Sequence, residues 1–477
     1  MLIDSIMNSG KIKRKSFTCL FVDVLILYEH RSRELENACL LAIELLNRDI
    51  TVGIEYINSP RVFFTKSSVV VVPHLYDDLE VCTYAKTLWK NSQKCILNLQ
   101  SEQVLSRLGE KSQHHNPKGQ AIFAQHIAWG DSQQERYLQA GIIPSHIHKT
   151  GHIAMDLLKD NFSAYYLSKS QIALKYGLDE KKEWVIFFSS FGYAGKSEEE
   201  LAFHETMNPN ARYYSELSTR SRKEILKWID SAASIFPEKL FIYRPHPAEQ
   251  TSNEIIALQA KYSNVVCIRD YSSRQWVKVC DRIFTWFSTC SADAYFAHKI
   301  FYILRPEPIS DDLDVPFLAK WKHVTTEKGF HDILSMQDEE TESFTFADAI
   351  EQYYGQMNDR AAYIKIADIC EDALASDKLK HLYKFPGYRF SPSSLLSIKS
   401  TIKIYYSYLL FPICKHVKAL AHISMPFRLR FINIWTKETY GIDNEIESYL
   451  KRLFSVVNSS NKELEGKKNM QHKKRQK

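Results

Sequence analysis

The sequence predicts an α/β protein with two facing Rossmann-like domains and a basic, helical C-terminal extension. Two observations support this prediction. Strand-like apolar runs alternate with helical patterns along most of the chain, as in parallel sheets with crossover helices. The chain of 477 residues is also too long for one hydrophobic core, so two domains and an appendage are expected.

Six strand-like runs predict the first domain: Cys19–Tyr28, Thr51–Tyr56, Ser68–Pro73, Lys94–Leu99, Ala121–Trp129 and His146–Thr150. Helical patterns lie between them. Ser32–Asn47 is the clearest, because its apolar residues recur every three or four positions. The polar segment Gly109–Gln120 is predicted to be a mobile loop beside a ligand cleft.

Five further runs predict the second domain: Trp184–Ser189, Lys239–Tyr243, Asn264–Ile268, Arg282–Trp286 and Lys299–Leu304. The helices expected to accompany these strands are Arg212–Ser234, Ala248–Lys261, Ser273–Val279 and Ser291–His298. Two such domains in tandem indicate a cleft between them, which is a common place for a ligand.

The composition along the chain predicts six segments. They are a disordered N-terminus (1–16), the first domain (17–165), the second domain (180–335), return helices (336–380), a basic amphipathic helical extension (381–460) and a disordered basic tail (461–477).

Charge is unevenly distributed. The net charge is +6, but residues 381–477 contain 18 Lys and Arg against 6 Asp and Glu, which leaves −6 for the rest. A basic, aromatic extension fits the surface of an anionic membrane, although a helical cap packed on the body with a solvated basic face is an equal alternative. Nucleic acid is not an expected partner, because the body contains no recognisable binding module.

The cysteines and the N-terminal sequence indicate a cytoplasmic protein. Asp23 interrupts the first apolar run and no small-residue cleavage site follows, so a strand is expected here and not a signal peptide. No run is long enough to span a bilayer. The cysteines are odd in number, scattered and without a Cys-x-x-Cys pair, so they are predicted to be reduced core residues and not zinc ligands: Cys19, Cys39, Cys82, Cys95, Cys267, Cys280, Cys290, Cys370 and Cys414.

Two strand-like runs of the second domain end in side chains suited to phosphate. One continues into Arg244-Pro245-His246-Pro247 and another is followed by Ser288 and Thr289. Buried parallel strands deliver such side chains to the carboxyl edge of a sheet, where open α/β folds bind ligands. An Arg fork, a His and two hydroxyls can all donate hydrogen bonds to nucleotide oxygens.

The order of several short motifs resembles that of GT-B glycosyltransferases of bacterial surface-polysaccharide synthesis. It is most similar to surface carbohydrate biosynthesis proteins and to transferases that use CMP-Kdo or CMP-sialic acid. CDP-glycerol polyol-phosphate transferases are more distant. The motifs fall within residues 18–335: Asp23–Leu46, Trp129-Gly130-Asp131, Gly141–Pro144, Lys149–Leu158, Phe187–Ser190, Arg244–Pro247 and Ser288-Thr289.

The resemblance implies an enzyme that transfers a sugar from a nucleotide donor, CMP-linked in the nearest families, to a surface polysaccharide or a lipid-linked glycan. In the CMP-sugar transferases, a His-Pro motif and a Ser-Ser/Thr motif bind the nucleotide phosphate. The matching positions here are His246, Pro247, Ser288 and Thr289. The resemblance also implies metal-independent chemistry without a cofactor, in the cytoplasm or peripherally at the inner face of the plasma membrane.

Each of these residues also has a structural interpretation. His246 could cap the following helix, Arg244 could form a salt bridge, and the hydroxyls of Ser288 and Thr289 could form a plain helix N-cap. The loop with Ser189, Ser190 and Gly192 is predicted to approach the donor, although a simple turn is an equal alternative.

A general base is expected from the first domain, but the acidic Asp/Glu-Asp/Glu-Gly motif of sialyltransferases is absent from the sequence. Glu29 and Glu102 are the catalytic candidates retained from this domain, together with His246 from the second domain. His30, His114 and His115 are further possibilities, and an ordinary structural role is open for each of them.

Three other functions remain open: polyol-phosphate transfer from CDP-glycerol, nucleotide-sugar 2-epimerisation, and a non-catalytic scaffold that keeps the fold. The chain contains an Asp-x-Asp triplet, Asp312–Asp314. It follows the last predicted strand in a polar segment, so a loop is predicted and not a metal site.

Overall fold

A computed structural model describes residues 21–59, 61–85, 95–113, 115–206, 208–247, 249, 252–336, 347–375, 410, 413–414, 416–421 and 430–475. The chain folds into two compact units. The first comprises the described residues within Met1–Gln103, Gln113–Tyr165 and Gln352–Lys477, and the second comprises those within Val104–Ser112 and Tyr166–Glu351.

Among the described residues, the first unit contains a six-stranded sheet in the order β2-β1-β3-β4-β5-β6 with parallel pairing throughout. Its strands are β1 (Val24–Tyr28), β2 (Val52–Tyr56), β3 (Val69–Val72), β4 (Cys95–Asn98), β5 (Gln125–Ala128) and β6 (Ile147–Lys149). Every residue of β1 and β3 is buried, as expected for parallel strands covered on both faces.

The described residues of the second unit contain another six-stranded parallel sheet, in the order β12-β11-β10-β7-β8-β9. Its strands are β7 (Glu183–Phe188), β8 (Lys239–Arg244), β9 (Val265–Cys267), β10 (Arg282–Thr285), β11 (Phe301–Leu304) and β12 (His323–Val324). Counted within the unit, this is the 3-2-1-4-5-6 order of a Rossmann fold.

Helices connect the strands. In chain order they are α1 (Arg31–Asn47), α2 (Arg61–Phe64), α3 (Asp78–Ala85), α4 (Arg107–Ser112), α5 (Asp131–Gln139), α6 (Ile153–Asp156), α7 (Lys169–Tyr176), α8 (Glu198–Glu205), α9 (Ala211–Ile235), α10 (Asn253–Lys261), α11 (Ser273–Val279), α12 (Cys290–Phe296), α13 (Pro316–Ala319), α14 (Glu327–Ser335), α15 (Ala347–Tyr354), α16 (Ala362–Ala375), α17 (Arg430–Thr439) and α18 (Ile442–Arg475). Short 3-10 turns cover Gly119–Phe123, Pro144–His146, Asp160–Tyr165 and Lys418–Ala421.

The predicted fold class, two Rossmann-like α/β domains followed by helices at the C-terminus, is confirmed. Several details differ from the prediction. Residues 121–123 of the predicted strand Ala121–Trp129 belong to a 3-10 turn, and the strand itself covers Gln125–Ala128. Strand β12 was not predicted, because two residues are too few to produce a periodic pattern. Gly109–Gln120 contains part of α4 and the start of a 3-10 turn, because Ser106 Oγ accepts the Gly109 N–H (3.1 Å) and Asp78 Oδ1 accepts the Gln120 N–H (2.6 Å).

After the second unit the chain returns to the first. The Asp156 carboxylate accepts the backbone N–H of Tyr363 (3.0 Å) near the start of α16, and Arg48 Nη1 lies 2.8 Å from both Asp368 and Glu371 on that helix. Helix α16 is therefore fixed at its beginning and along one side.

The predicted C-terminal segments lie partly outside the described residues. The predicted disordered N-terminus, residues 1–16, lies entirely outside them. Residues 376–409 of the return and extension segments are not described. Helix α18 continues to Arg475, whereas the sequence predicts disorder from residue 461. The same Lys and Glu residues that indicate disorder are good helix formers, which accounts for the difference.

No helix among the described residues is long and apolar enough to cross a membrane. The cysteines whose side chains are described carry free thiols: Cys39, Cys95, Cys267, Cys280, Cys290, Cys370 and Cys414.

Gly130 tests how tightly the returning chain packs on the first unit. A Cβ at this position would clash with the Gln352 carbonyl oxygen and lie 2.8 Å from the carbonyl carbon. We expect Gly130→Ala to lower the free energy of unfolding by about 3 kcal/mol, because a backbone carbonyl cannot rotate away as a side chain can. Denaturant unfolding monitored by tryptophan fluorescence would measure this.

Gly329→Ala is the matched control for this substitution. Its Cβ would meet nothing closer than Thr326 Oγ1 at 3.3 Å, and alanine favours the helix in which it lies. Its effect should stay within about 1 kcal/mol. Equal losses in the two variants would contradict the packing described for Gly130.

Candidate functional site

The second sheet reverses its strand order between β7 and β10, which are neighbours although β8 and β9 lie between them in the chain. Such a switch point opens a crevice at the carboxyl ends of the strands. Phe188, the last residue of β7, pairs with Thr285 on one side and with Arg244 on the other. The three strands therefore end level with one another, and the predicted phosphate-binding residues follow them.

Arg244 ends β8 and is largely buried. Its Nη2 donates to the Tyr271 carbonyl, and its Nε has no hydrogen-bond partner among the described residues. Burial lowers the pKa of the guanidinium, while Cys290 and Asp293 act in the opposite direction. A partly buried guanidinium at the end of a strand is a favourable partner for an anion.

The loop after β8 exposes His246 and Pro247 and buries Pro245. Its conformation is set by Glu249, a buried residue that the sequence analysis did not identify. The Glu249 carboxylate accepts the backbone N–H of His246 (3.2 Å), and its own N–H donates to the His246 carbonyl (2.9 Å). The imidazole is thus presented at the sheet edge by a fixed backbone.

The end of β7 carries Ser189, Ser190 and Gly192. Ser189 is buried, and its hydroxyl donates to Glu249, whereas Ser190 Oγ accepts the backbone N–H of Phe287 (2.9 Å). Gly192 is partly buried in the following turn. The two hydroxyls thus join β7 to the loops after β8 and β10, and direct contact with a donor stays a prediction.

Ser288 and Thr289 lie between β10 and α12. Ser288 Oγ accepts the Cys290 N–H (3.2 Å), and the Ser288 carbonyl accepts the Ser291 hydroxyl (2.9 Å). Thr289 is exposed and makes no capping hydrogen bond with its side chain. The cap interpretation therefore applies to Ser288, and Thr289 presents its hydroxyl at the surface.

The first sheet has its own switch point, between β1 and β3. Glu29 follows β1 and His74 lies two residues after β3, and their side chains approach to 3.3 Å. His74 Nδ1 lies 3.0 Å from Glu80, so the imidazole sits between two carboxylates. Sequence reasoning missed His74, because its partners lie 45 and 6 residues away in separate elements.

This arrangement shifts both pKa values. Burial alone would raise the pKa of Glu29, but the hydrogen bond and charge of His74 lower it to about 2. Burial would lower the pKa of His74, but Glu29 and Glu80 raise it to about 10. The pair is therefore charged at neutral pH, and neither group has a pKa near that expected of a general base.

Glu102 is also ion-paired. Its carboxylate accepts from Arg33 Nη1 (2.8 Å), and Arg33 in turn contacts Glu34 (3.0 Å). Burial alone would raise the pKa of Glu102, but the charge and the hydrogen bond of Arg33 lower it. Of the histidine candidates, His115 contacts the Tyr76 hydroxyl (3.4 Å), and His114 lies outside the described residues.

A small crevice opens at the carboxyl edge of the first sheet, and its cavity volume of about 30 Å³ is enough for one or two water molecules. Buried Asn37 lines it, and Asn37 Oδ1 has no hydrogen-bond partner in the described part of the chain. Trp129 and His152, whose rings stack with centroids 3.8 Å apart, form another part of the wall. An acceptor atom beside aromatic rings suits a hydroxylated ligand.

The C-terminal helices reach the turn between β1 and α1. The Glu438 carboxylate accepts the backbone N–H of Arg31, and the Glu438 carbonyl accepts the Tyr28 hydroxyl (3.0 Å). Arg31 Nη1 donates to the Tyr440 carbonyl (2.7 Å). This part of the basic extension therefore packs on the first unit, directly beside Glu29 and His30.

Both carboxylates of the Asp-x-Asp triplet are ion-paired. Both Asp314 oxygens accept from Arg305 Nη2 (2.9 and 3.0 Å), and both side chains are buried. Asp312 is exposed and pairs with Lys111 (3.0 Å). The prediction that this segment is a loop and not a metal site stays a prediction.

No protein-family model and no curated protein matches the chain. Several solved structures are similar to it at low sequence identity. UDP-GlcNAc 2-epimerase from Neisseria meningitidis is 13% identical with a TM-score of 0.45, over 74% of this chain and 99% of that one. The UDP-GlcNAc 2-epimerase from Methanocaldococcus jannaschii is 12% identical with a TM-score of 0.42, over 74% and 99%. The wall teichoic acid polymerase TagF is 13% identical with a TM-score of 0.49, over 74% and 88%. Similarity at this level assigns neither a ligand nor a reaction to this chain.

The Glu29–His74 pair predicts a distinct pH dependence of stability. His74 has a raised pKa in the folded protein, so its contribution is complete below its ordinary pKa of 6.5 and is lost as the pH rises to about 10. Glu29 has a lowered pKa, so its contribution is complete above 4.5 and is lost as the pH falls towards 2. We expect His74→Ala to destabilise the protein by about 1–2 kcal/mol near pH 5.5 and by much less at pH 10.

Urea unfolding at several pH values would measure this difference. A Glu29→Gln/His74→Ala double variant closes the cycle and isolates the pair from other losses at either site. A destabilisation that stayed constant from pH 5.5 to 10 would exclude the ion pair as its cause.

Proposed function

We propose that this protein is a glycosyltransferase that binds a nucleotide-linked sugar, CMP-linked in the simplest case, at the carboxyl edge of the second sheet. The acceptor in this proposal is a surface polysaccharide or a lipid-linked glycan of the cell envelope, such as a capsule. The observation that carries it is the level ending of β7, β8 and β10, which collects Arg244, His246, Ser288 and Thr289 beside a switch point.

Arg244 and His246 have the chemistry that sugar transfer requires. When the bond between the sugar and the donor phosphate breaks, the leaving nucleotide gains negative charge. Donors aimed at that phosphate stabilise the transition state more than the ground state. Arg244 offers a partly buried guanidinium, and His246 offers an exposed ring on a fixed backbone. The resemblance of His246-Pro247 to the His-Pro motif of CMP-sugar transferases supports the same assignment, and CDP-glycerol transferases use a similar Arg-Pro-His-Pro strand end.

The acceptor site is proposed at the carboxyl edge of the first sheet. The crevice beside Asn37 and Trp129 has room for a single hydroxyl of the acceptor and not for a sugar ring, and it supports the placement to that extent. Transfer also requires that the acceptor hydroxyl lose a proton, and Glu29 and Glu102 remain the candidates for this role. Both have lowered pKa values, so a base role for either would require that the acceptor weaken its ion pair with His74 or Arg33.

A nucleotide panel tests the donor site. We expect CMP to raise the melting temperature of the protein, and His246→Ala to weaken CMP binding about tenfold, the effect of losing one hydrogen bond to a charged group. Thermal shift with CMP, CDP-glycerol, UDP and UDP-GlcNAc, followed by titration calorimetry, would measure both. His331→Ala, on α14, is the matched control and should bind like the unmodified protein.

The other outcomes of the panel separate the alternatives. Preference for CDP-glycerol would favour polyol-phosphate transfer, and preference for UDP-GlcNAc would favour epimerisation. If none of these nucleotides stabilised the protein, the proposal would be overturned. The non-catalytic scaffold would then be the remaining alternative. Unchanged CMP affinity in His246→Ala would remove this residue from the site.

We also propose that the basic extension associates with the anionic inner face of the plasma membrane, where a lipid-linked acceptor would be found. Its Lys residues alternate with Leu, Ile, Tyr and Phe. Deleting the extension is a poor test, because Glu438 and Arg31 connect it to the first unit. Charge reversal keeps these contacts.

We expect Lys399→Glu/Lys403→Glu/Lys415→Glu to weaken binding to phosphatidylglycerol-containing vesicles about a hundredfold, since each Lys near an anionic surface contributes about 1 kcal/mol. Vesicle sedimentation would measure this, with pure phosphatidylcholine as the uncharged surface. The control reverses three exposed lysines of the second unit, Lys181, Lys223 and Lys328. Equal sedimentation of both triple variants would contradict the membrane role of the extension.

A further inference from the structure

Glu249 is a buried carboxylate in the loop that follows β8, three residues after His246. We propose that Glu249 is the positioning residue of the phosphate site, and that it holds His246 and the loop in the conformation that receives a nucleotide phosphate. This inference rests on the proposed function. It assigns to Glu249 an effect on phosphate binding that is exerted through the loop and not by contact with the ligand.

The carboxylate of Glu249 gathers donors from three parts of the site. One oxygen accepts from the Ser189 hydroxyl after β7 and from the backbone N–H of His246 (3.2 Å). The other accepts from the hydroxyl of Tyr243 in β8 (2.7 Å). One side chain therefore ties the ends of two neighbouring strands to the histidine that the site presents.

The backbone around Glu249 reinforces the same geometry. The Glu249 N–H donates to the His246 carbonyl (2.9 Å), which closes a tight turn. Arg269 spans this turn from outside, with its Nη1 on the His246 carbonyl (3.3 Å) and its Nη2 on the Glu249 carbonyl (2.9 Å). The loop is therefore held on both sides of His246, while the imidazole itself stays exposed.

The three donors differ in a way that makes the role testable. The hydroxyls of Ser189 and Tyr243 can rotate and accept a hydrogen bond, but the backbone N–H of His246 can only donate. Glutamine at position 249 keeps a carbonyl oxygen for Ser189 and His246, and its NH₂ can donate to the Tyr243 oxygen. Alanine leaves the buried hydroxyls and the loop N–H without their acceptor.

The competing interpretation is that Glu249 only stabilises the second unit. The two interpretations separate when a nucleotide is compared with its nucleoside, because only the nucleotide carries the phosphate that the loop would receive. Loss of positioning weakens CMP binding and leaves cytidine binding intact. A general loss of structure weakens both ligands together.

We would measure the dissociation constants of CMP, cytidine, UDP and uridine by titration calorimetry with the full-length protein and its Glu249 variants. Glu249→Ala should weaken CMP or UDP, whichever the unmodified protein binds, at least about tenfold, with less than a twofold change for the matching nucleoside. Glu249→Gln should restore the nucleotide affinity to within about threefold of that of the unmodified protein. Thermal melts without ligand would report the folded state of each variant.

Glu200→Ala is the matched control. Glu200 is another buried carboxylate of the second unit that accepts a backbone N–H, from Ser197 (3.0 Å). Its removal should lower the melting temperature without changing the ratio of nucleotide to nucleoside affinity. Equal weakening of CMP and cytidine in Glu249→Ala, or failure of glutamine to restore nucleotide binding, would overturn the positioning role. Absence of binding by the unmodified protein would overturn the proposed donor site itself, and with it this inference.

Discussion

The register of parallel strands is the constraint on which the candidate sites depend. Buried parallel strands must align their hydrogen-bond ladders, so their carboxyl ends meet at one edge of the sheet. In the second unit this places the end of β7 level with Thr285 of β10 and Arg244 of β8. Arg244 and Thr285 lie about 55 and 100 residues after Phe188 in the chain. The pairing of the strand backbones alone makes them its neighbours.

At the switch point of each unit the apolar strands end, and polar groups must be held in place there. Buried polar groups are costly unless they are paired. In the second unit the Glu249 carboxylate satisfies hydroxyl and backbone donors. In the first unit His74 pairs with Glu29 and Glu80. The two arrangements differ in charge, because one edge holds an acceptor for neutral donors and the other holds an ion pair.

The sequence predicted the strands and helices well because burial on both faces produces continuous apolar runs, as in Val69–Val72, and helical periodicity marks α1 and α9. It also predicted which strand ends carry Arg244 and His246. It could not predict that Glu249 turns inward, because a Glu shortly before a helix is an ordinary surface pattern. Nor could it pair His74 with Glu29, since that contact depends on the β1–β3 neighbourhood, which only the sheet order reveals.

The C-terminal helices show why the composition of a segment does not define its role. Their basic character indicates a solvated or membrane-facing surface. The Glu438 carboxylate nevertheless accepts the Arg31 N–H at the first turn of α1, and the Glu438 carbonyl accepts the Tyr28 hydroxyl. Arg31 lies two residues after Glu29, so a displacement of α17 would be felt first at the turn that carries the Glu29–His74 pair. The extension therefore combines two functions in this proposal. Its basic residues would bind an anionic membrane. Glu438 holds the turn at the edge of the first sheet, where the acceptor is proposed to bind.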